Sequence, residues 1–207
     1  MAARKLRIVA VGDSTTAGAP GFRSPLEAPP KGRGNPQSQY AFWMMKVHPE
    51  WTVLNRGMGR QRCDEILARF DRDVLKVKPD YVIVLAGAND VYQGRSLGLM
   101  KTDLGAMYGR AQQISIIPVA ATVLPYDTAG IGEQSVLKSL NAWIQQNAAS
   151  LDIPFCDTNA AVRAPDDPGR LRSSPDGLHP DITGYRSLGE ALMRTLETDL
   201  ARWAQQA

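Results

Sequence analysis

A serine, a histidine and an aspartate stand in contexts that suit acyl transfer. Ser14 follows Gly12-Asp13 directly after a short apolar run, with Thr15-Thr16-Ala17-Gly18 next. A serine at a strand-to-helix turn has backbone N–H groups and the positive end of a helix within reach of a developing anion. Its hydroxyl is a weak nucleophile without a neighbouring base. The chain has two histidines. His48 precedes Pro49 at the close of a helical pattern and reads as a helix-end residue. His179 lies in Asp176-Gly177-Leu178-His179-Pro180, where Asp176 can fix the ring tautomer and stabilise the imidazolium. The tetrahedral oxyanion then needs donors: the Ser14 N–H, a backbone N–H from the turn 57–60, and the Asn89 side-chain amide. One such donor is worth about 3 kcal/mol of barrier.

Each segment alone has a plainer reading. Asp13 or Ser14 suits a helix N-cap, and so does Asp90 after Asn89. Asp176-Gly177 is an ordinary turn pair. Asn55 and Arg56 read as turn scaffolding. The order of the segments turns the balance, because each follows a strand candidate or precedes the last helix. In open α/β sheets ligands bind at the carboxyl ends of the strands, so all four would meet at one rim. Nucleotide motifs are absent: residues 12–18 have neither the spacing nor the Lys of a phosphate-binding loop, and Gly12 and Gly18 do not make a dinucleotide fingerprint. No histidine and carboxylate cluster has metal-ligand spacing, so no metal or cofactor is expected.

The elements that must position these residues are short β-branched runs alternating with amphipathic helices. Strands are expected at 6–11, 51–54 and 81–85, within 114–123, and at 153–156. Nearly all-apolar strands imply burial on both faces, as in a parallel sheet. Helices are expected at 64–78, where Ile66, Leu67, Phe70, Val74 and Val77 form one stripe, and at 97–112, 135–149 and 183–203. The pattern predicts a three-layer α/β/α sandwich around a mostly parallel sheet of about five strands, in one domain spanning 1–207. Two long loops, 17–39 and 159–175, interrupt it, and loops of that length are usually functional or disordered.

Together these segments resemble the SGNH hydrolases, also called the GDSL esterase/lipase family. The first block is Gly12-Asp13-Ser14, with Thr15 where the usual Leu stands; the third is Gly87-Ala88-Asn89-Asp90; the last is Asp176-Gly177-Leu178-His179. The resemblance runs from residue 6 to about 195. It implies a flavodoxin-like fold and a serine hydrolase of carboxylic esters, thioesters or O-acetyl groups. Ser14, Asp176 and His179 would be catalytic, and Asp13, Asn55, Gly87 and Asp90 would lie around them. One departure matters. The second block resembles N-R-G-x-x-G, and counting from Asn55 puts Arg60 at the last glycine. Either Arg60 donates its N–H to the oxyanion, at a cost if its φ is positive, or a one-residue slip gives that part to Gly59. The departure also leaves open a second class of function, an SGNH-fold binding module with impaired catalysis.

Composition narrows the partners. Lys and Arg number 24 against 21 acids, for a net charge of +3, and no basic block suggests nucleic acid. Lys31 and Arg33 in the first long loop, and Arg170 and Arg172 in the second, could meet an anionic group or merely face solvent. Cys63 and Cys156 are expected to be reduced and buried. No apolar run approaches the roughly 18 residues of a membrane span, and residues 1–11 lack a signal-peptide pattern. The expectation is a cytoplasmic protein acting on a small-molecule ester, with the oligomeric state open.

Overall fold

Val9 and Val11 alternate with Ile8 and Ala10 along β1 (Arg7–Gly12), and every one of these side chains is buried. Two apolar faces on one strand require a layer on each side. A computed structural model describes residues 4–206 and supplies both. Five strands lie in the order β4-β1-β5-β6-β7: β4 (Thr52–Gly57), β5 (Tyr81–Leu85), β6 (Ile117–Ala121) and β7 (Phe155–Cys156) with β1. All neighbouring pairs run parallel. Val9, Val11, Val82 and Val84 pack with α3 (Cys63–Ala68), α5 (Leu97–Gln113) and α6 (Ile131–Ser150). Ile8, Ala10, Tyr81 and Ile83 pack with α2 (Tyr40–Val47) and α8 (Ile182–Gln206) on the other face. This is the three-layer α/β/α sandwich, and its strand order is that of flavodoxin-like sheets, which bind ligands where the connections diverge on either side of the first strand.

Several boundaries differ from expectation. β4 continues to Gly57, so Asn55 and Arg56 are strand residues. The helix expected at 64–78 stops at Ala68, turns at Arg69, and resumes as one wide turn over Asp71–Leu75. The break falls at a residue whose side chain is drawn into the site described below. The first long loop has structure of its own. Its chain forms a small hairpin of β2 (Phe22–Arg23) and β3 (Arg33–Gly34) and a single 3₁₀ turn over Pro36–Ser38. The second begins with α7 (Thr158–Val162) and closes through a bridge between Arg163 and Leu171. No helix among the described residues is long and apolar enough to cross a membrane.

Two short helices follow strands at the carboxyl rim: α1 (Ser14–Ala17) after β1 and α4 (Ala88–Tyr92) after β5. The ends of β1, β4 and β5 are in register, Gly12 beside Gly57 and beside Leu85. Gly57 has no room for a side chain, since a Cβ there would stand 2.1 Å from the Ala17 nitrogen. The glycine lets β4 close directly on α1.

Candidate active site

Asp13 is the N-cap of α1, and its carboxylate accepts the Thr15 N–H at 2.9 Å. The capping reading therefore holds for Asp13 and leaves Ser14, the first helical residue, with a free hydroxyl. His179 Nε2 is 2.8 Å from Ser14 Oγ, and His179 Nδ1 is 2.7 Å from Asp176 Oδ2. The other Asp176 oxygen accepts the backbone N–H groups of Leu178 at 2.9 Å and His179 at 2.8 Å. Ser174 Oγ closes the segment by accepting from Gly177 N and donating to the His179 carbonyl. The loop after β6 braces it from outside, Asp127 N donating to the Gly177 carbonyl at 2.7 Å. The last helix begins just beyond, at Ile182.

The electrostatics agree with this wiring. Burial pushes the Asp176 carboxyl up, but the hydrogen bonds from His179 and the two backbone N–H groups outweigh it and hold the group below the usual carboxylate range. An ionised Asp176 keeps the proton on Nδ1 and turns the Nε2 lone pair toward Ser14. Asp13 behaves oppositely. It is 3% exposed, and burial pushes its carboxyl up to about 6, with Asp90 adding to the shift and His179 opposing it.

The second rim segment lies against Ser14. A Cβ on Gly59 would be 4.0 Å from that of Ser14. The Gly59 N–H is engaged by Glu27 Oε1 at 2.6 Å. Arg60 has φ +67, and its N–H has no acceptor among the described residues. The left-handed conformation is what a glycine would adopt freely, so the geometry follows the ungapped register, in which Arg60 replaces the glycine. Ser14, as the first residue of a helix, also has an N–H without an intrahelical acceptor. Asn89 sits in the first turn of α4, after Gly87 at φ +131, and its amide donates to the Gln61 carbonyl at 3.0 Å. An amide nitrogen has two hydrogens, so one remains.

Asn55 is buried beside these groups. Its amide donates to the Ala17 carbonyl and to Gln39 Oε1, and its oxygen accepts the Gly57 N–H. Asp90 does not cap its own helix. Wholly buried, it accepts the N–H of Cys63, the first residue of α3, at 2.9 Å, and it pairs with Arg95 at 2.9 Å. A carboxylate inside the fold needs such partners, and α3 supplies one because its first turn has orphan N–H groups. His48 lies before the amino end of β4, away from the carboxyl rim, between Glu50 and Glu197 and stacked on Trp51. Arg170 pairs with Asp167, and among the described residues no hydrogen bond or ion pair carries Lys31, Arg33 or Arg172 to the site. Both cysteines are free and buried, and no metal-binding cluster occurs among the described residues.

The family model described as GDSL-like lipase/acylhydrolase matches residues 10–187. The chain belongs to that family. As a GDSL-like hydrolase it is an esterase-type enzyme acting on small-molecule esters. An acetylxylan esterase of Geobacillus stearothermophilus is 25% identical over 175 residues, 77% of this chain and 79% of that protein. The structure of a G-D-S-L family protein from Desulfitobacterium hafniense superposes with a TM-score of 0.75 at 26% identity, covering 92% of this chain and 99% of the other. A GDSL-like lipase from Bacteroides thetaiotaomicron has the same fold, with a TM-score of 0.76 at 22% identity over 94% and 89% of the two chains.

Sequence reasoning missed two groups in this GDSL-like site. Glu27, inside the first long loop, has no motif to mark it. Arg69 had a readable signal. It shares the inner face of its helix with Ile66 and Phe70, and Asp73 follows four residues later. A pair of opposite charges on a buried stripe must be answering polar groups inside the fold.

Proposed function

We propose that this GDSL-like enzyme hydrolyses carboxylic esters of small acyl groups, acetyl esters foremost, through an acyl-enzyme on Ser14. The observation that carries the reading is the unbroken hydrogen-bonded chain from Ser14 Oγ through the His179 ring to Asp176. Ser14 Oγ attacks the acyl carbon as His179 Nε2 takes its proton. The negative charge gathers on the carbonyl oxygen, which the N–H groups of Ser14 and Arg60 and the free Asn89 amide hydrogen stabilise. As the tetrahedral intermediate collapses, the C–O bond to the alcohol breaks and His179 returns the proton to the departing oxygen. Water, deprotonated by the same nitrogen, then attacks the acyl-enzyme and releases the acid and the Ser14 hydroxyl.

Two observations favour a short acyl group. The cavity framed by Asp13, Thr15, Ala88, Val123, Tyr126 and Leu178, the neighbours of the reacting residues, holds about 20 Å³. Neither Ser14 nor His179 lines it, but it lies beside both, and a space this small favours a methyl group over a chain. The Geobacillus relative is named an acetylxylan esterase, which supports an acetylated polyhydroxy alcohol as the substrate class, its alcohol being the leaving group.

The test is hydrolysis of p-nitrophenyl acetate together with labelling by a fluorophosphonate. The expected result is one label, on Ser14, and turnover abolished in a folded Ser14→Ala variant. Unchanged turnover in that variant, or a label on another side chain, overturns the assignment. A folded protein that neither turns over nor takes the label would instead be the binding module that Arg60 left open.

A further inference from the structure

Arg69 is 7% exposed and donates four hydrogen bonds to groups of the fold. Its Nε reaches Gln61 Oε1 at 2.6 Å. One terminal nitrogen reaches the Arg56 carbonyl at 2.7 Å and Asp73 at 2.8 Å, and the other reaches the Gly12 carbonyl at 3.0 Å. Gly12 is two residues before Ser14 and ends β1. Arg56 is the last residue but one of β4 before the rim, and Gln61 follows Arg60 directly. The Gln61 main-chain carbonyl is in turn the acceptor that holds the Asn89 amide. One guanidinium thus touches the segments carrying two of the three oxyanion donors and reaches the third through one residue. The Gly12 carbonyl also accepts the Met58 N–H at 3.1 Å, a cross-link between the first two segments.

From this juxtaposition we infer that Arg69 is a positioning residue for the oxyanion hole, setting the spacing of the Ser14, Arg60 and Asn89 donors without touching substrate. Its charge is answered by Asp73, itself 4% exposed. Its other bonds go to neutral oxygens of backbone and amide. A planar fork of five N–H donors can span three such acceptors in fixed directions. A lysine ammonium, a point charge on a flexible stem, cannot reach all three at once. The chain also gives up helical winding at Arg69, between α3 and the wide turn at Asp71–Leu75, and departures of this kind gather at functional sites. Preorganised donors lose their effect when displaced by fractions of an ångström.

The inference rests on the proposed acyl-enzyme chemistry, and the experiment separates the two. Steady-state kinetics on p-nitrophenyl acetate would compare wild type, Arg69→Lys, Gln61→Ala, Asn89→Ala and the double variant Arg69→Lys/Asn89→Ala. Wild-type turnover and labelling test the chemistry itself. Expected for Arg69→Lys is a fall in kcat of about 30-fold with KM within about twofold. Affinity for a transition-state-mimicking boronic acid should fall by a similar factor. In the double variant the losses should combine to less than their product, because Arg69 acts partly through Asn89. Gln61→Ala, which removes the Arg69 Nε bond and so loosens the segment of Arg60 and Gln61 on which Asn89 rests while keeping the other three Arg69 bonds, should lose about tenfold in kcat and carries the test should Arg69→Lys fail to fold. Wild-type kcat in a folded Arg69→Lys, a loss confined to KM, or fully multiplicative losses would each overturn the inference while leaving the hydrolase reading standing.

Discussion

Arg60 has a backbone that glycine prefers, at φ +67. A non-glycine side chain in that region costs roughly 1–2 kcal/mol. The backbone N–H, which is all the proposed hole requires, is unaffected by the residue's identity. Arg60→Gly should therefore raise stability by about 1 kcal/mol, part of the relief being offset by the freer unfolded chain, and keep kcat within twofold. Urea unfolding and ester turnover check both halves; a stabilised but inactive variant would show that the guanidinium, not the N–H, matters. Asp13 offers a second prediction. Its carboxyl is pushed up to about 6 in the fold by burial, from an ordinary value of 3.8. The protonated form is the better tolerated one, so the fold is free of the penalty below pH 3.8 and bears it in full above pH 6. Asp13→Asn retains an oxygen for the Thr15 N–H and cannot ionise. Its stability advantage should be near zero at pH 3 and grow to as much as about 3 kcal/mol at pH 8. An advantage independent of pH would mean that Asp13 carries no such burden. At this scale the sequence was legible wherever a residue type is scarce. Two histidines leave little choice of base. It was not legible for Glu27, since a carboxylate in a loop is common and only the folded loop shows which N–H it meets.

At the scale of elements, the strands and the long helices were readable because apolar spacing decides them. What the spacing could not tell is where a regular pattern is interrupted for a polar reason. Ile66, Phe70 and Val74 keep helical period across Arg69, yet the winding changes there to turn a guanidinium inward. Likewise the loop 17–39 looks formless by composition, while its order comes from contacts distant in sequence. Ser24, wholly buried, donates to the Gly57 carbonyl. Asn55 bonds the Ala17 carbonyl and the Gln39 side chain, the two ends of the loop, with one amide. Asn55→Ala would strip partners from these two groups and from the Gly57 N–H. A destabilisation of about 2–3 kcal/mol is expected, with a fall in kcat/KM, because the loop carries Glu27 to the Gly59 N–H. Proteolytic nicking within 17–39 should quicken in the variant before global unfolding. A variant as stable and as resistant as wild type would mean that the loop is held by the hairpin alone.

For the whole molecule, the sheet order puts Ser14, just after β1, toward its middle. β1 lies between β4 and β5, so the segments that follow both neighbouring strands flank Ser14, and the segment just before α8 sets His179 beside it, Nε2 at 2.8 Å from Ser14 Oγ. That convergence follows from parallel strands with crossovers of one hand, which is why four short segments far apart in sequence could be read as one site. On the proposed reading the acyl group is selected at the same scale, by loops that meet only when the fold closes. Tyr126, from the loop after β6, and Leu178, from the segment before α8, complete the walls of the 20 Å³ cavity beside Asp13 and Thr15. Tyr126 is 4% exposed and Leu178 41% exposed, so Leu178 can be cut back without opening the core. Leu178→Ala should admit acyl chains that wild type rejects. A methylene in an apolar pocket is worth about 1–3 kcal/mol, and the ratio of kcat/KM for p-nitrophenyl butyrate over the acetate should rise about tenfold, chiefly through the butyrate. An unchanged ratio would mean that the acyl group leaves the nucleophile in another direction, over the open face of Arg60 and Glu27, and that the cavity does not select chain length.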